Sequence, residues 1–193
     1  MKTIVWDVDD VLNDLMRAWF KESWRPAHET CRITYDDLLA NPPHELLGIT
    51  LTEYQLSLDA FRRDRLESLP PISDAIDWFQ RHGHKACHAA LTAVPLWAAP
   101  LSAAWVMRHF GGWMRSFNVV PSRRAGDEPA SHAATKKEFL EWWGKADVLV
   151  EDSPANLAGA EELGIQTVLV PRPWNGKRRS LQESLDELTA FVS

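Results

Sequence analysis

The chain has little cysteine, no long apolar run and no surplus of positive charge. Its two cysteines, Cys31 and Cys87, cannot build a disulfide framework, so both are expected to be free thiols in a reducing compartment. No charged-then-apolar leader opens the chain, and a cytoplasmic location is expected. No stretch approaches the roughly 20 apolar residues of a membrane span. Lys and Arg number 21 against 27 Asp and Glu, a net charge of −6 that argues against holding a nucleic-acid polymer. A small anionic ligand needs only a local positive patch and stays open. Tyrosine is scarce, at two, but tryptophan is abundant, at ten, which calls for flat aromatic surface in a core, under an insertion or around a ligand. With 193 residues, 45% hydrophobic and 25% charged, the composition fits one globular core domain, with or without a smaller insertion.

The second half of the chain alternates between helical and strand patterns. "DAIDWFQRH" (74–82) places Ile76, Trp78 and Phe79 at helical spacing, with Ser73 as the N-cap and Gly83 as the stop. "KACHAALTA" reads as a strand that ends near Thr92, "LSAAWVMRHFGG" as a helix, and "SFNVV" as a short strand. "TKKEFLEWWGK" is helical again, followed by an apolar strand in "ADVLVED". In "SPANLAGAEELG" Ser153 serves as N-cap, Pro154 as first helical residue and Gly164 as stop, before the strand "IQTVLVP". Short continuous apolar strands separated by helices predict an α/β, Rossmann-like parallel sheet covered on both faces. Residues 15–71 differ in texture. Two amphipathic segments there flank the broken "NPPHELLG", which predicts a helical insertion, with residues 1–14 and 72–193 forming the core.

The stretch "KTIVWDVDDVLND" carries Asp7, Asp9 and Asp10 within four positions at the end of the first apolar run. Carboxylates packed that closely repel one another unless a cation gathers them. Two other predicted strands also end in polar residues, one at Thr92 and one at Glu151 and Asp152. In parallel sheets ligands collect beyond the carboxyl ends of the strands. Phosphoryl transfer asks for such a set: an oxygen nucleophile, a proton donor for the leaving oxygen, and positive charge around the non-bridging oxygens.

"WDVDDVLND" resembles the first motif of the haloacid dehalogenase-like phosphatases, Asp-x-Asp-x-[Val/Thr]-[Leu]. "ALTA", "TKKEFL" and "VLVEDSPAN" resemble the other three motifs and follow in order. The resemblance implies Asp7 as nucleophile and Asp9 as general acid and base. It also implies Thr92, Ala93 and a motif lysine, Lys136 or Lys137, at the phosphoryl oxygens; Lys136, next to Thr135 at the helix start, is favoured. It implies Mg²⁺ held by Asp7, the main-chain carbonyl of Asp9 and Asp152, with Glu151 in an outer position or acting through water. An insertion after the first motif matches a small helical cap. "AAWVMRHFGG", Ser-Pro-x-Asn and "PRPWNG" look like the 5'-nucleotidase and deoxyribonucleotidase-like branch.

The expected activity is hydrolysis of a small phosphomonoester, with a nucleoside or deoxynucleoside monophosphate first. A sugar phosphate or other small metabolite is the alternative, and a catalytically silent binding protein the alternative of another class. No nucleic-acid polymer or membrane partner is expected, and monomer and homodimer are both open. Two departures bear on the substrate: Ala93, Val94 and Pro95 follow Thr92 where deoxyribonucleotidases tend to carry Ser-Pro, and the link "PSRRAGDEPASHAAT" is long. Trp19, Phe20, Trp24, Tyr35 and Tyr54 are a base-stacking surface or, the commoner use of such residues, a helical core. Arg123 and Arg124 read as a surface turn, with a substrate phosphate as the alternative.

Overall fold

The computed structural model describes residues 1–128, 132–176 and 179–192. Five parallel strands form one sheet in the order β3-β2-β1-β4-β5: β1 (Thr3–Trp6), β2 (Cys87–Val94), β3 (Met114–Pro121), β4 (Val148–Glu151) and β5 (Gln166–Leu169). The chain builds outward from β1 on one side and then returns to β1's other side with β4. That reversal opens a crevice between the ends of β1 and β4, where parallel sheets seat ligands. The α/β architecture matches the sequence expectation.

Side chains on β1 alternate between two cores, as a period of two requires. Ile4 and Trp6 enter a cluster with Trp78, Phe79 and Phe110. Val5 faces the opposite layer with Leu91, Leu140 and Leu149. Trp6 is fully enclosed, and a side chain of that size removes on the order of 200 Å² from water, worth roughly 5 kcal/mol as an upper figure. His88 closes the same cluster: its Nδ1 accepts from Trp6 Nε1 at 3.1 Å, so its Nε2 donates to the Gly83 carbonyl at 2.8 Å.

Between β1 and α4 (Ser73–His82) lies the helical segment. It contains α1 (Leu15–Trp19), a wider turn at Phe20–Trp24, the short α2 (Arg25–Ala27), and the long α3 (Leu51–Arg65). α3 opens with a capping box, in which Thr50 and Glu53 satisfy each other's backbone N–H. The two ends of the segment meet: Asn13 pairs with Pro71, and the Ile72 N–H donates to the Leu12 carbonyl at 2.8 Å. The remaining helices are α5 (Ala99–Phe110), α6 (Lys136–Trp143), α7 (Pro154–Glu161) and α8 (Leu181–Val192). None of the described helices is long and apolar enough to cross a membrane.

Local details correct the sequence reading. Ser73 is the first helical residue of α4 rather than its cap, because Ile72 holds the extended position before it. β3 begins two residues earlier than "SFNVV". Ser153 does stand at the N-cap of α7 with Pro154 following, although its hydroxyl makes no capping bond.

Candidate active site

Asp7 follows β1 directly, and its N–H still donates to Val150 of β4 at 3.0 Å. The next residues turn sharply, with the N–H groups of Leu12 and Asn13 both directed at the Val8 carbonyl. Asp10 sits in the left-handed region at φ 62°, a conformation Asp tolerates better than most side chains. Its Oδ1 accepts the Met16 N–H at 2.9 Å, and burial pushes its carboxyl up to about 7. Asn13, wholly buried, organises the turn: Oδ1 accepts from Leu15 N–H at 3.0 Å and Nδ2 donates to Asp9 Oδ1 at 3.1 Å.

Glu151 closes β4 and Asp152 follows it. Carboxylate oxygens of Asp7, Glu151 and Asp152 lie within 4.8 Å of one another, all three residues being buried. Lys136, the first residue of α6, reaches between them with Nζ 2.6 Å from both Asp7 Oδ1 and Glu151 Oε2. Burial opposes its charge, but Asp7 and Glu151 outweigh that and hold the ammonium above the usual lysine range. Glu151 spends both oxygens on the protein. Oε1 accepts the N–H groups of Asp152 and Ser153, and Oε2 accepts Lys136 and Asn156 Nδ2. Burial raises the Glu151 carboxyl, yet these donors, Lys136 first, bring it below its ordinary value.

Asp7 and Asp152 are pushed the other way. Burial and then the Glu151 charge raise both carboxyls well above the normal range. Three buried carboxyl groups thus cluster beside one ammonium that contacts two of them, Asp7 and Glu151, and all the donor atoms are hard oxygens. That set fits a divalent cation such as Mg²⁺, with Asp7 and Asp152 as the side chains available to it. Asp152 is held in place by the loop after β5: Trp174 Nε1 donates to its Oδ2 at 2.6 Å and Asn175 Nδ2 to its carbonyl at 2.9 Å. In the same loop Arg172 Nε donates to the Asp10 carbonyl at 2.6 Å.

Asp7, Asp9, Asp10, Lys136, Glu151 and Asp152 border one cavity of about 360 Å³ that also meets Thr92, Ala93 and α3 of the helical segment. Thr92 is buried and Ala93 exposed, at the carboxyl end of β2. The structure therefore gathers Asp7, Asp9, Thr92, Ala93, Lys136, Glu151 and Asp152. It does not bring Lys137 to them: that side chain is partly exposed and paired with Glu162 on the outer face of α6. One helical step of about 100° separates the two lysines, so only one can point inward. Glu151 belongs to the acid cluster, and its hydrogen bonds orient Lys136 and the start of α7.

Asp9 is engaged from outside the core. Its Oδ2 accepts Arg62 Nη2 of α3 at 2.8 Å. Arg62 also borders the cavity, as does Arg124 from the segment after β3, whereas Arg123 does not. Arg124 was legible only as an alternative, and Arg62 was missed. Its signal was Asp59 and Arg62 one turn apart on the buried face of an otherwise apolar helix stripe. Of the five aromatics weighed for base stacking, only Tyr54 lines the cavity. Trp19, Phe20, Trp24 and Tyr35 form the segment's own core, with Trp19 5.3 Å from Tyr54 and 5.7 Å from Trp24 between ring centroids.

No family model and no curated protein matches the chain. Solved structures do. A haloacid dehalogenase-like hydrolase, SP0104 from Streptococcus pneumoniae, aligns over 100% of this chain and 99% of its own at TM-score 0.60 and 14% identity. A protein proposed as a phosphoglycolate phosphatase from Lactobacillus delbrueckii aligns over 99% and 98% at TM-score 0.61 and 16% identity. One proposed as a β-phosphoglucomutase from Thermotoga maritima aligns over 98% and 99% at 0.53 and 16%. The strand order, the acid cluster at the β1 and β4 ends and these alignments agree: the chain has the fold of the haloacid dehalogenase-like hydrolases.

Proposed function

We propose that the protein is a Mg²⁺-dependent phosphatase that hydrolyses a small phosphomonoester, of the sugar-phosphate or short-metabolite kind rather than a nucleotide. The observation that carries the reaction is the single cavity in which Asp7, Lys136, Thr92 and Asp152 converge from four separate elements. Asp7 attacks phosphorus with a carboxylate oxygen and forms an aspartyl-phosphate, while the ester oxygen leaves with a proton from Asp9. Asp9 then takes a proton from the water that attacks the aspartyl-phosphate, which releases phosphate and restores Asp7. Lys136 and the Thr92 hydroxyl meet the non-bridging oxygens as charge builds on them. Asp7, Asp152 and the Asp9 carbonyl would hold Mg²⁺, which supplies positive charge at the phosphoryl group.

The helical segment, residues 15–71, serves as the cap. Its ends meet at one place on the core, it has its own apolar cluster, and α3 forms the far wall of the cavity. The size of the substrate follows from that wall. A cavity of about 360 Å³ is at the small end of ligand sites, and four of the five rings weighed for a base are spent on packing. Neighbours proposed to act on phosphoglycolate and phosphoglucose support the same choice. Phosphate release from a panel of sugar phosphates, phosphorylated acids and nucleoside monophosphates, with Mg²⁺ and with Asp7→Asn as the blank, tests the reading. Small non-nucleotide esters should lead and chelator should stop the reaction. Nucleotides leading would overturn the substrate class, and no release by folded protein would favour a silent binding protein.

A further inference from the structure

The wall opposite the acid cluster plays no part in the steps above, yet it is charged. Arg62 of α3 and Arg124 both border the cavity, with Asp59 buried between them. Asp59 takes Arg124 Nε and Nη2 at 2.7 Å each, but Arg62 Nη1 only at 3.4 Å. Two guanidiniums therefore share one carboxylate, and Asp9 supplies the remaining good contact to Arg62. Arg62 is 6% exposed, and its Nε is sealed from solvent with no hydrogen-bond partner among the described residues. Guanidiniums enclosed to this degree are ordinarily matched by an anion in a two-pronged contact, because an unmatched buried charge is costly. Arg62 has two single contacts, Asp9 at 2.8 Å and Asp59 at 3.4 Å, and lacks the two-pronged one.

We infer that Arg62 and Arg124 bind a second anionic group of the substrate, so that the compound hydrolysed is a phosphomonoester also carrying a carboxylate or a second phosphate. The inference rests on the phosphatase reading, and Asp9 links the two. A leaving oxygen that reaches Asp9 comes within one hydrogen bond of Arg62, so the atoms just beyond the ester lie against the arginine wall. Asp59, the acid on that wall, is already committed to Arg124 and does not repel an incoming anion as a free carboxylate would. A neutral polyol would accept one N–H but bring no charge to the guanidinium. A short acid or bisphosphate brings both and fits the volume.

The test compares matched esters on the same protein with Mg²⁺: a phosphorylated hydroxypropanoate, propanediol bisphosphate, and hydroxypropyl phosphate as the neutral counterpart. The wild type should prefer one of the two anionic esters by at least about tenfold in kcat/KM, as sites built for a charged hydrogen bond reject analogues lacking it. Which ester wins separates carboxylate from phosphate. In Arg62→Met and Arg124→Met the preference should fall toward one, a ratio that cancels any loss of folded enzyme. Equal use of all three esters by the wild type would overturn the inference and leave the phosphatase reading intact. If no ester is hydrolysed, calorimetry with Mg²⁺ decides instead: phosphonobutyrate or propane-1,3-bisphosphonate should bind at least about tenfold tighter than butylphosphonate. Equal binding there overturns the inference.

Discussion

On the sheet side of the cavity the charged groups sit in the turn after β1, at the end of β4, at the start of α6 or, for Arg124, just past β3, whereas on the helical side Arg62 stands inside one 15-residue helix, α3. The first arrangement is rigid because β1 and β4 are hydrogen-bonded to each other and enclosed on both faces. The second rides on a segment whose two chain ends meet at one place on the core and which packs about its own aromatic cluster. On the proposed reading the difference teaches a division of labour: groups that meet phosphorus come from the strand ends and the start of α6, while Arg62 of the helix, together with Arg124 past β3, distinguishes leaving groups. Trp174 spans both, because it holds Asp152 through Nε1 and packs edge-on against Tyr35 of the segment at 6.2 Å.

The comparison breaks most directly at Asp7. Asp7→Asn should lower phosphate release by at least about 10³-fold while far-UV circular dichroism stays unchanged, since the nucleophile is lost and no packing is. The next effect is on stability. Lys136→Met leaves Asp7 and Glu151 unpaired in the interior and should cost about 3–5 kcal/mol in urea unfolding. Lys137→Met, on the exposed side of the same helix, should leave the urea midpoint nearly unchanged. Equal costs would contradict the placement of the two lysines.

A third substitution separates the two regions themselves. Trp19→Ala removes the centre of the segment's cluster and should cost about 3 kcal/mol. Amide exchange should accelerate in α3 while β1 and β4 keep their protection; acceleration across the sheet would mean that the segment and the sheet open as one unit. The smallest effect is a pH dependence confined to the sheet. Burial lowers the His88 pKa, so below the ordinary histidine range the unfolded chain binds a proton that the folded chain refuses. Stability is then present at neutral pH and declines as pH falls through that range. His88→Gln should flatten the melting curve between pH 7 and 5 by a few degrees.

The sheet side was legible because its signals are local: an apolar run that stops at acids, a Thr at a strand end, a lysine beside a cap residue. The helical side was not, because inward-facing Asp59 and Arg62 look the same in sequence as the exposed charges of any amphipathic helix, and only the fold brings Arg62, 53 residues downstream, against Asp9. The aromatic residues left two readings open for the related reason that a base platform and a helical core share composition, and the commoner one, the core, is what they form. Choosing between Lys136 and Lys137 needed the helix phase, which a boundary error of one residue erases. The roles of Asn13 and Trp174 depend on bonds to Asp9 and Asp152 that no spacing rule anticipates.

The account turns on a covalent bond between Asp7 and phosphorus. Mixing the protein with Mg²⁺ and its best small phosphomonoester, quenching in acid, and reducing the acyl phosphate with borohydride should convert Asp7 to homoserine, read by peptide mass spectrometry. The product should be absent without Mg²⁺ and absent in Asp7→Asn. Phosphate release at full rate with Asp7 unmodified, or with Asp7→Asn still turning over, would contradict it.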